Sequence, residues 1–415
     1  MIRSSIDEVA LSTSDLDACV RCGLCLSSCP TFELTGMEGY SPRGRIAAVR
    51  AIEAGKVPGP VEAEYLDTCL GCRACESACP SGVAYGRIFE HARTVVRPRE
   101  GLLARVLLWA IARRWRLSLL SVPLWIGQRL GIARFFRGAS GIPKLRLSDL
   151  ALRLSTRYVP PDGTPERGQV VLFAGCVSDA WARDVHWATI FVLTRAGYVV
   201  RVPRGQVCCG ALHAHAGHAK AARELAIRNM LPLERYEGQV VASAAGCGAK
   251  LREYGEVLEH PDAEAVAGRI RDVTEVLTLE DVQDLGPVVP DGLHRIGLHE
   301  PCHLAFAQGV REQPRTLLAA AGYDVVGLGD GGRCCGAAGM YSLQQPAFAE
   351  PLREAKLAAC RAVSVDAVAV GNPGCAFWMG AAADAPRMLH PAQLLAMAVS
   401  AGEEARQDAA EADKV

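Results

Sequence analysis

Between residues 168 and 400 the chain alternates short apolar runs with longer stretches of helical composition. VVLFAG (170–175), YVVRVP (198–203) and QVVASAA (239–245) form one series, and RIGLHE (295–300), YDVVGL (323–328) and DAVAVGN (366–372) form a second. Apolar runs of this length, rich in Val and bounded by turn residues, predict buried strands. The stretches between them, AWARDVHWATIFVLTRAG (180–197) and LAFAQGVREQPRTLLAAAG (304–322), predict helices. Strand and helix in alternation predict α/β units with parallel sheets. The first hundred residues lack such runs. GRIAAVRAIEAG and VEAEYLDTC predict a mostly helical region there. In RVLLWAIARRWRL (105–117) apolar residues are spaced for one helix face, with arginines on the other.

The two series are copies of one unit. Cys176, Cys208 and Cys209 recur 126 positions later as Cys302, Cys334 and Cys335, and Cys247 recurs 128 positions later as Cys375. LTRAGYVV likewise matches LAAAGYDV. A unit of roughly 125 residues is an ordinary domain size. The expected organisation is a helical domain over 1–100, a basic amphipathic linker over 101–167, repeats over 168–290 and 291–400, and a flexible tail over 401–415.

The cysteines say what the first domain holds. Cys19, Cys22, Cys25 and Cys29, followed by Pro30, form C-x2-C-x2-C-x3-C-P, and Cys69, Cys72, Cys75 and Cys79, followed by Pro80, repeat it. In this run three thiolates on a tight turn reach three irons of one cubane, and the fourth cysteine ligates the other cluster. The expected ligand sets are therefore Cys19, Cys22, Cys25 and Cys79 for one [4Fe–4S] cluster, and Cys69, Cys72, Cys75 and Cys29 for the second. Zinc ribbons use paired C-x2-C motifs instead.

Each repeat supplies four more cysteines: Cys176, Cys208, Cys209 and Cys247, then Cys302, Cys334, Cys335 and Cys375. They follow the ends of predicted parallel strands, where α/β sheets build their sites. In each CCG, the glycine (Gly210 or Gly336) permits a tight turn that turns two thiols to one place. Such a set can hold a third cluster or a zinc ion, or remain as packed thiols. If one repeat is occupied, the second is favoured, because His299 and His303 flank Cys302. Against that, these histidines, with His213, His215 and His218, also suit ordinary turn or core positions, and Cys360 reads as a core thiol. Gly327, Gly329 and Gly332 spell G-x-G-x-x-G, but cysteines follow where a helix should begin, so no nucleotide site is expected.

Composition narrows the class. Of 415 residues, 45 are Lys or Arg and 45 are Asp or Glu, so bulk charge gives no reason to expect nucleic acid. The beginning of the chain, MIRSSIDEVALSTSD, has no apolar signal core, and 17 cysteines in a cytosolic setting point to metal or redox chemistry rather than disulfides. From Gly101 to Ser148 there is no acid, but eight Arg and one Lys, interleaved with Trp109, Trp115, Trp125, Phe135 and Phe136. That segment suits the surface of an anionic membrane, or packing on a partner subunit or on the core.

The CCG repeats resemble the cysteine-rich domain of heterodisulfide reductases. That resemblance implies a fifth cysteine after two intervening residues, where this chain has Lys250 and Trp378, so a non-cubane cluster is not implied. CVRCGLCLSSCPTFELTG, SPRGRIAAVRAI, CLGCRACESACPSGV, GCGAKLREYGEVL and CCGAAGMYSL together resemble the iron–sulfur subunit of glycolate oxidase (glycolate dehydrogenase). The resemblance implies a subunit of an enzyme whose 2-hydroxy acid is oxidised elsewhere, on an FAD-containing subunit. This chain would pass electrons to quinone or another membrane acceptor, peripheral on the inner face of the cell membrane. The alternative expectations for this chain are the iron–sulfur subunit of an anaerobic glycerol-3-phosphate or lactate dehydrogenase, or a heterodisulfide reductase-like thiol/disulfide enzyme.

Overall fold

The computed structural model describes residues 13–96, 100–131, 145–147 and 154–412. The described part of the first domain is helical. Helices cover Pro30–Thr35, Pro42–Glu53, Pro60–Asp67 and Tyr85–Val95. Proline opens the first three, at the position where a missing N–H costs nothing. Ser41 caps the second by accepting from the Gly44 amide at 3.0 Å. Leu16, Ile46, Val49, Leu66, Val83, Ile88 and Phe89 close a small core around the cysteines.

The repeats fold as α/β units. In the first, β1 (Arg157–Tyr158), β2 (Gly168–Leu172), β3 (Tyr198–Arg201), β4 (Gln239–Val241) and β5 (Ile270–Arg271) pair in the order β1-β3-β2-β4-β5. Only β1 runs antiparallel. In the second, β6 (Arg295–His299), β7 (Asp324–Gly327), β8 (Ala367–Val370) and β9 (Arg387–Leu389) pair as β7-β6-β8-β9, all parallel. Thus β3-β2-β4-β5 and β7-β6-β8-β9 are one topology used twice. The central strands β2 and β6 pair on both edges and are buried toward their C-terminal ends, as parallel strands between helical layers are.

The repeats share one core. Leu172, Leu193, Val241 and Val273 of the first pack in the same buried cluster as Ile296, Leu298, Leu318 and Ala367 of the second. Leu394, Leu395 and Ala398 complete it from the last helix, Pro391–Ala412. Two boundaries differ from expectation. Strand β1 joins the first sheet before residue 168. The tail expected from 401 is helical through Ala412, held by contacts at Glu403 and Arg406. Arg195 donates to Glu403 at 2.6 Å, and Arg406 donates to the Gly286 carbonyl at 2.8 Å.

The basic segment forms two helices, Leu102–Ile111 and Arg114–Arg129. Leu108, Ile111 and Leu117 are buried against Cys176, Ala180, Val207 and Cys208 of the first repeat. Arg114 pairs with Asp179, and Ser121 accepts from the Trp181 indole at 2.9 Å. The packing alternative therefore holds for the inner face. The outer face leaves Leu102, Trp109, Trp115 and Leu119 exposed. No described helix is long and apolar enough to cross a membrane. Phe135 and Phe136 lie outside the described residues.

Candidate iron–sulfur and cysteine-rich sites

The two ferredoxin-type runs fold alike. The second and fourth positions after the opening cysteine take left-handed backbone in both: Arg21 (φ 59°) and Gly23 (φ 86°) in one, Gly71 (φ 63°) and Arg73 (φ 63°) in the other. A non-glycine residue there is uncommon and strained. The strain curls each C-x2-C-x2-C loop around a hollow. One cavity is lined by Cys19, Cys22, Cys25 and Cys79, with Cys75 at its inner wall. A second is lined by Cys29, Cys69, Cys72 and Cys75. In each run the fourth cysteine lies at the cavity of the opposite run. All eight thiols are free. Eight free cysteines around two hollows, each hollow taking three from one run and the fourth of the other, with Cys75 lining both, are the donors that two cubane clusters require. Cys22, exposed, marks the outer cavity.

The inner cavity has a buried counter-charge. Arg45 is 2% exposed and extends toward Cys29, with a guanidinium nitrogen 3.9 Å from its sulfur. Its other donors reach the Tyr65 carbonyl at 2.6 Å, Thr31 Oγ1 at 3.0 Å and Thr68 Oγ1 at 3.3 Å. Nothing in the cysteine spacing pointed to Arg45.

The repeat cysteines stand at strand C-terminal ends. Cys176 follows β2, Cys208 and Cys209 follow β3, and Cys247 lies in the helix after β4; the Cys209 and Cys247 sulfurs are 3.5 Å apart. Cys302 follows β6, Cys334 and Cys335 follow β7, and Cys375 lies in the helix after β8. In the second set the Cys335 and Cys375 sulfurs lie within 4.8 Å of each other. The CCG glycines have left-handed φ of 93° (Gly210) and 84° (Gly336). A Cβ at Gly336 would stand 2.6 Å from the Ala349 carbonyl oxygen, so no other residue fits. Cys360 is buried with Leu357 and Val368 in the same apolar cluster as Cys335 and Cys375, but is not in the group of possible ligands with them.

The two sets relate differently to the clusters' cavities. Cys302 and Cys334 share an apolar cluster with Cys72 and Leu70 of the inner cavity. Tyr341 donates to the Thr68 carbonyl at 2.9 Å, and His303 meets the Gly71 carbonyl at 3.1 Å. Cys176 and Cys208 of the first repeat face the basic helices instead. Cys75 thus lines both cavities, and Cys72 of the inner one packs with the second repeat's Cys302 and Cys334.

Lys250 and Trp378, which stand where a fifth cysteine would, have structural work of their own. Lys250 is buried and its ammonium donates to Glu90 at 2.7 Å and Glu253 at 3.1 Å, joining the first repeat to the helical domain. Arg73 adds a 2.6 Å pair to Glu253. The Trp378 indole donates to the Cys335 carbonyl at 2.9 Å under the Arg353 guanidinium. Replacing Lys250 by Met would leave Glu90 buried without its cation. Breaking a buried pair in this way costs about 3–5 kcal/mol. Thermal unfolding of the full chain is expected to start at a clearly lower temperature; an unchanged melting curve would count against the seam.

Comparison with known proteins agrees with this layout. A family model described as a 4Fe-4S dicluster domain matches residues 15–83, and one described as a cysteine-rich domain matches residues 170–252 and 296–380. The chain is 32% identical to the probable glycolate oxidase iron-sulfur subunit of Bacillus subtilis, over 89% of each chain. It is 29% identical to the glycolate oxidase iron-sulfur subunit of Escherichia coli, over 87% of this chain and 89% of that one. It is also 28% identical, over 54% of this chain and 98% of the other, to lactate utilization protein A of Anoxybacillus flavithermus. The two cluster cavities, the duplicated cysteine-rich domain and likeness along nearly the whole length place this chain in the glycolate oxidase iron–sulfur subunit family.

Proposed function

We propose that this chain is the electron-transfer subunit of a membrane-associated 2-hydroxy-acid dehydrogenase acting on glycolate. Cys19, Cys22, Cys25 and Cys79 hold one [4Fe–4S] cluster, and Cys29, Cys69, Cys72 and Cys75 hold the other. Bound there, such clusters accept and release electrons one at a time. The chain's own residues set the spacing and place buried Arg45 beside Cys29 as a counter-charge for the inner site. The observation that carries the reading is the pair of cavities meeting at Cys75, in a chain similar to glycolate oxidase subunits over most of its length. Oxidation of the hydroxy acid belongs to an FAD-containing partner, and the electrons leave to quinone. Isolation of the native complex tests this: the partner should contain FAD and prefer glycolate. Lactate is the second reading, favoured by the likeness to lactate utilization protein A; a partner that prefers lactate would decide for it.

The outer face of the two basic helices is the membrane contact in this reading. Leu102 is 78% and Leu119 62% exposed, beside exposed Trp109, Trp115, Arg105 and Arg129. Each basic residue near an anionic surface adds about 1 kcal/mol, screened by salt. Arg105→Glu, Arg129→Glu, Leu119→Ser chains should lose co-sedimentation with anionic vesicles at low salt. These positions are chosen because Arg114 is held by Asp179. Unchanged binding would reassign the face to a protein partner.

A further inference from the structure

The two repeats differ at one buried position beside their thiols. Three residues before the strand-end cysteine, the first repeat has Phe173 and the second has His299. Phe173 is 2% exposed and has no polar atom to satisfy. His299 is 1% exposed, and neither of its ring nitrogens has a hydrogen-bond partner. Buried polar groups are nearly always paired, and leaving one unpaired costs about 1–3 kcal/mol. The orphan ring lies against two thiols. One nitrogen of His299 and the sulfurs of Cys335 and Cys375 lie within 4.8 Å of one another, all three residues buried.

We propose that the second repeat binds a single tetrahedral, zinc-type ion through His299, Cys335 and Cys375, and that the first repeat does not. Zinc bonds of about 2.3 Å to sulfur and about 2.0–2.1 Å to nitrogen place neighbouring donors roughly 3.5–3.8 Å apart. The observed grouping reaches that spacing with small side-chain movements. A cubane cluster would need the donors more widely spread, since each caps a different iron. Thiolate with imidazole is a soft set that selects zinc over magnesium or calcium. Each ligating thiol releases its proton to solvent as the ion binds. Cys334, next in sequence to Cys335 and buried, is a candidate for the fourth corner. The outer partners are also present: Asn372 donates to the Cys375 sulfur at 3.2 Å, and Trp378 fixes the Cys335 carbonyl. In the first repeat Phe173 supplies no donor. The inference stands independently of the glycolate reading.

The test uses the full-length protein purified with its clusters. Elemental analysis should find about one zinc per chain beyond the cluster iron, and zinc-edge X-ray absorption should find a mixed sulfur and nitrogen shell. Zinc strayed into a ferredoxin-type site would have a sulfur-only shell, since those sites offer only thiols. His299→Phe, which copies the first repeat, should lower bound zinc at least tenfold while iron is unchanged. Absence of zinc, a sulfur-only shell, iron in place of zinc at this repeat, or zinc retained in His299→Phe would each overturn the proposal. The absorption spectrum of the unaltered protein decides even if the variant fails to fold.

Discussion

A Cys72→Ser chain is expected to assemble with its flavin partner, take up about half the normal iron, and fail to pass electrons to a quinone acceptor. Cys72 lines the inner cavity and shares an apolar cluster with the second repeat's Cys302 and Cys334, so its loss damages the site nearest that repeat. A serine hydroxyl is a poor replacement for a thiolate toward iron. The outer cavity keeps its four cysteines, so about four irons should remain of the eight that two cubane clusters hold. Loss of an outer partner of a metal ligand already costs 10–100-fold in affinity or activity. Removing the ligand should therefore lower turnover by at least about a hundredfold. If, as proposed, the hydroxy acid is oxidised on an FAD-containing partner, that partner's FAD should still be reduced. Cys360→Ser is the control: its thiol sits in an apolar cluster away from both cavities, and iron content should not change. Normal turnover in Cys72→Ser would remove the inner cavity from the path.

Arg45→Gln is expected to have the second-largest effect, and through a different quantity. The guanidinium is buried beside Cys29 and would compensate the negative charge of a cluster held there by thiolates. Two unit charges about 6 Å apart at an effective dielectric of about 20 interact by roughly 3 kcal/mol. For a one-electron couple, 59 mV corresponds to a tenfold change in equilibrium, or about 1.4 kcal/mol. Removing the positive charge makes adding an electron harder. The inner cluster's reduction potential should fall by on the order of 100 mV in a redox titration, with the outer cluster nearly unmoved. Arg45→Lys keeps the charge but loses the fork that reaches the Tyr65 carbonyl, Thr31 and Thr68 together. It should lower stability more than potential. Equal potentials in all three chains would mean that the arginine only packs.

The sequence made the metal chemistry plain because the ligands of a ferredoxin-type loop are local. Three cysteines at fixed spacing must share one turn, whatever surrounds them. The duplication was legible for a similar reason: strand, cysteine and helix recur in register. The pieces that stayed hidden are those decided by distant contacts. Strands β1, β5 and β9 have two or three residues each, too few for any period. The segment after residue 400 reads as a charged tail, yet Glu403 and Arg406 hold it as helix through partners more than a hundred positions away. Lys250 gave no hint of its role, since Glu90 lies in another domain. The basic segment offered membrane and packing as alternatives, and the inner face now belongs to packing. His299 was visible only as a neighbour of Cys302. Its two unpartnered nitrogens are a property of the folded core.

The most direct test of the central claim is electron paramagnetic resonance on the native complex, frozen after anaerobic addition of glycolate without an acceptor. Signals of reduced [4Fe–4S] clusters belonging to this chain should appear, and should vanish when a quinone is supplied. Reduced flavin with the clusters still oxidised, or a chain purified with its ferredoxin-type sites filled only by zinc, would contradict the account.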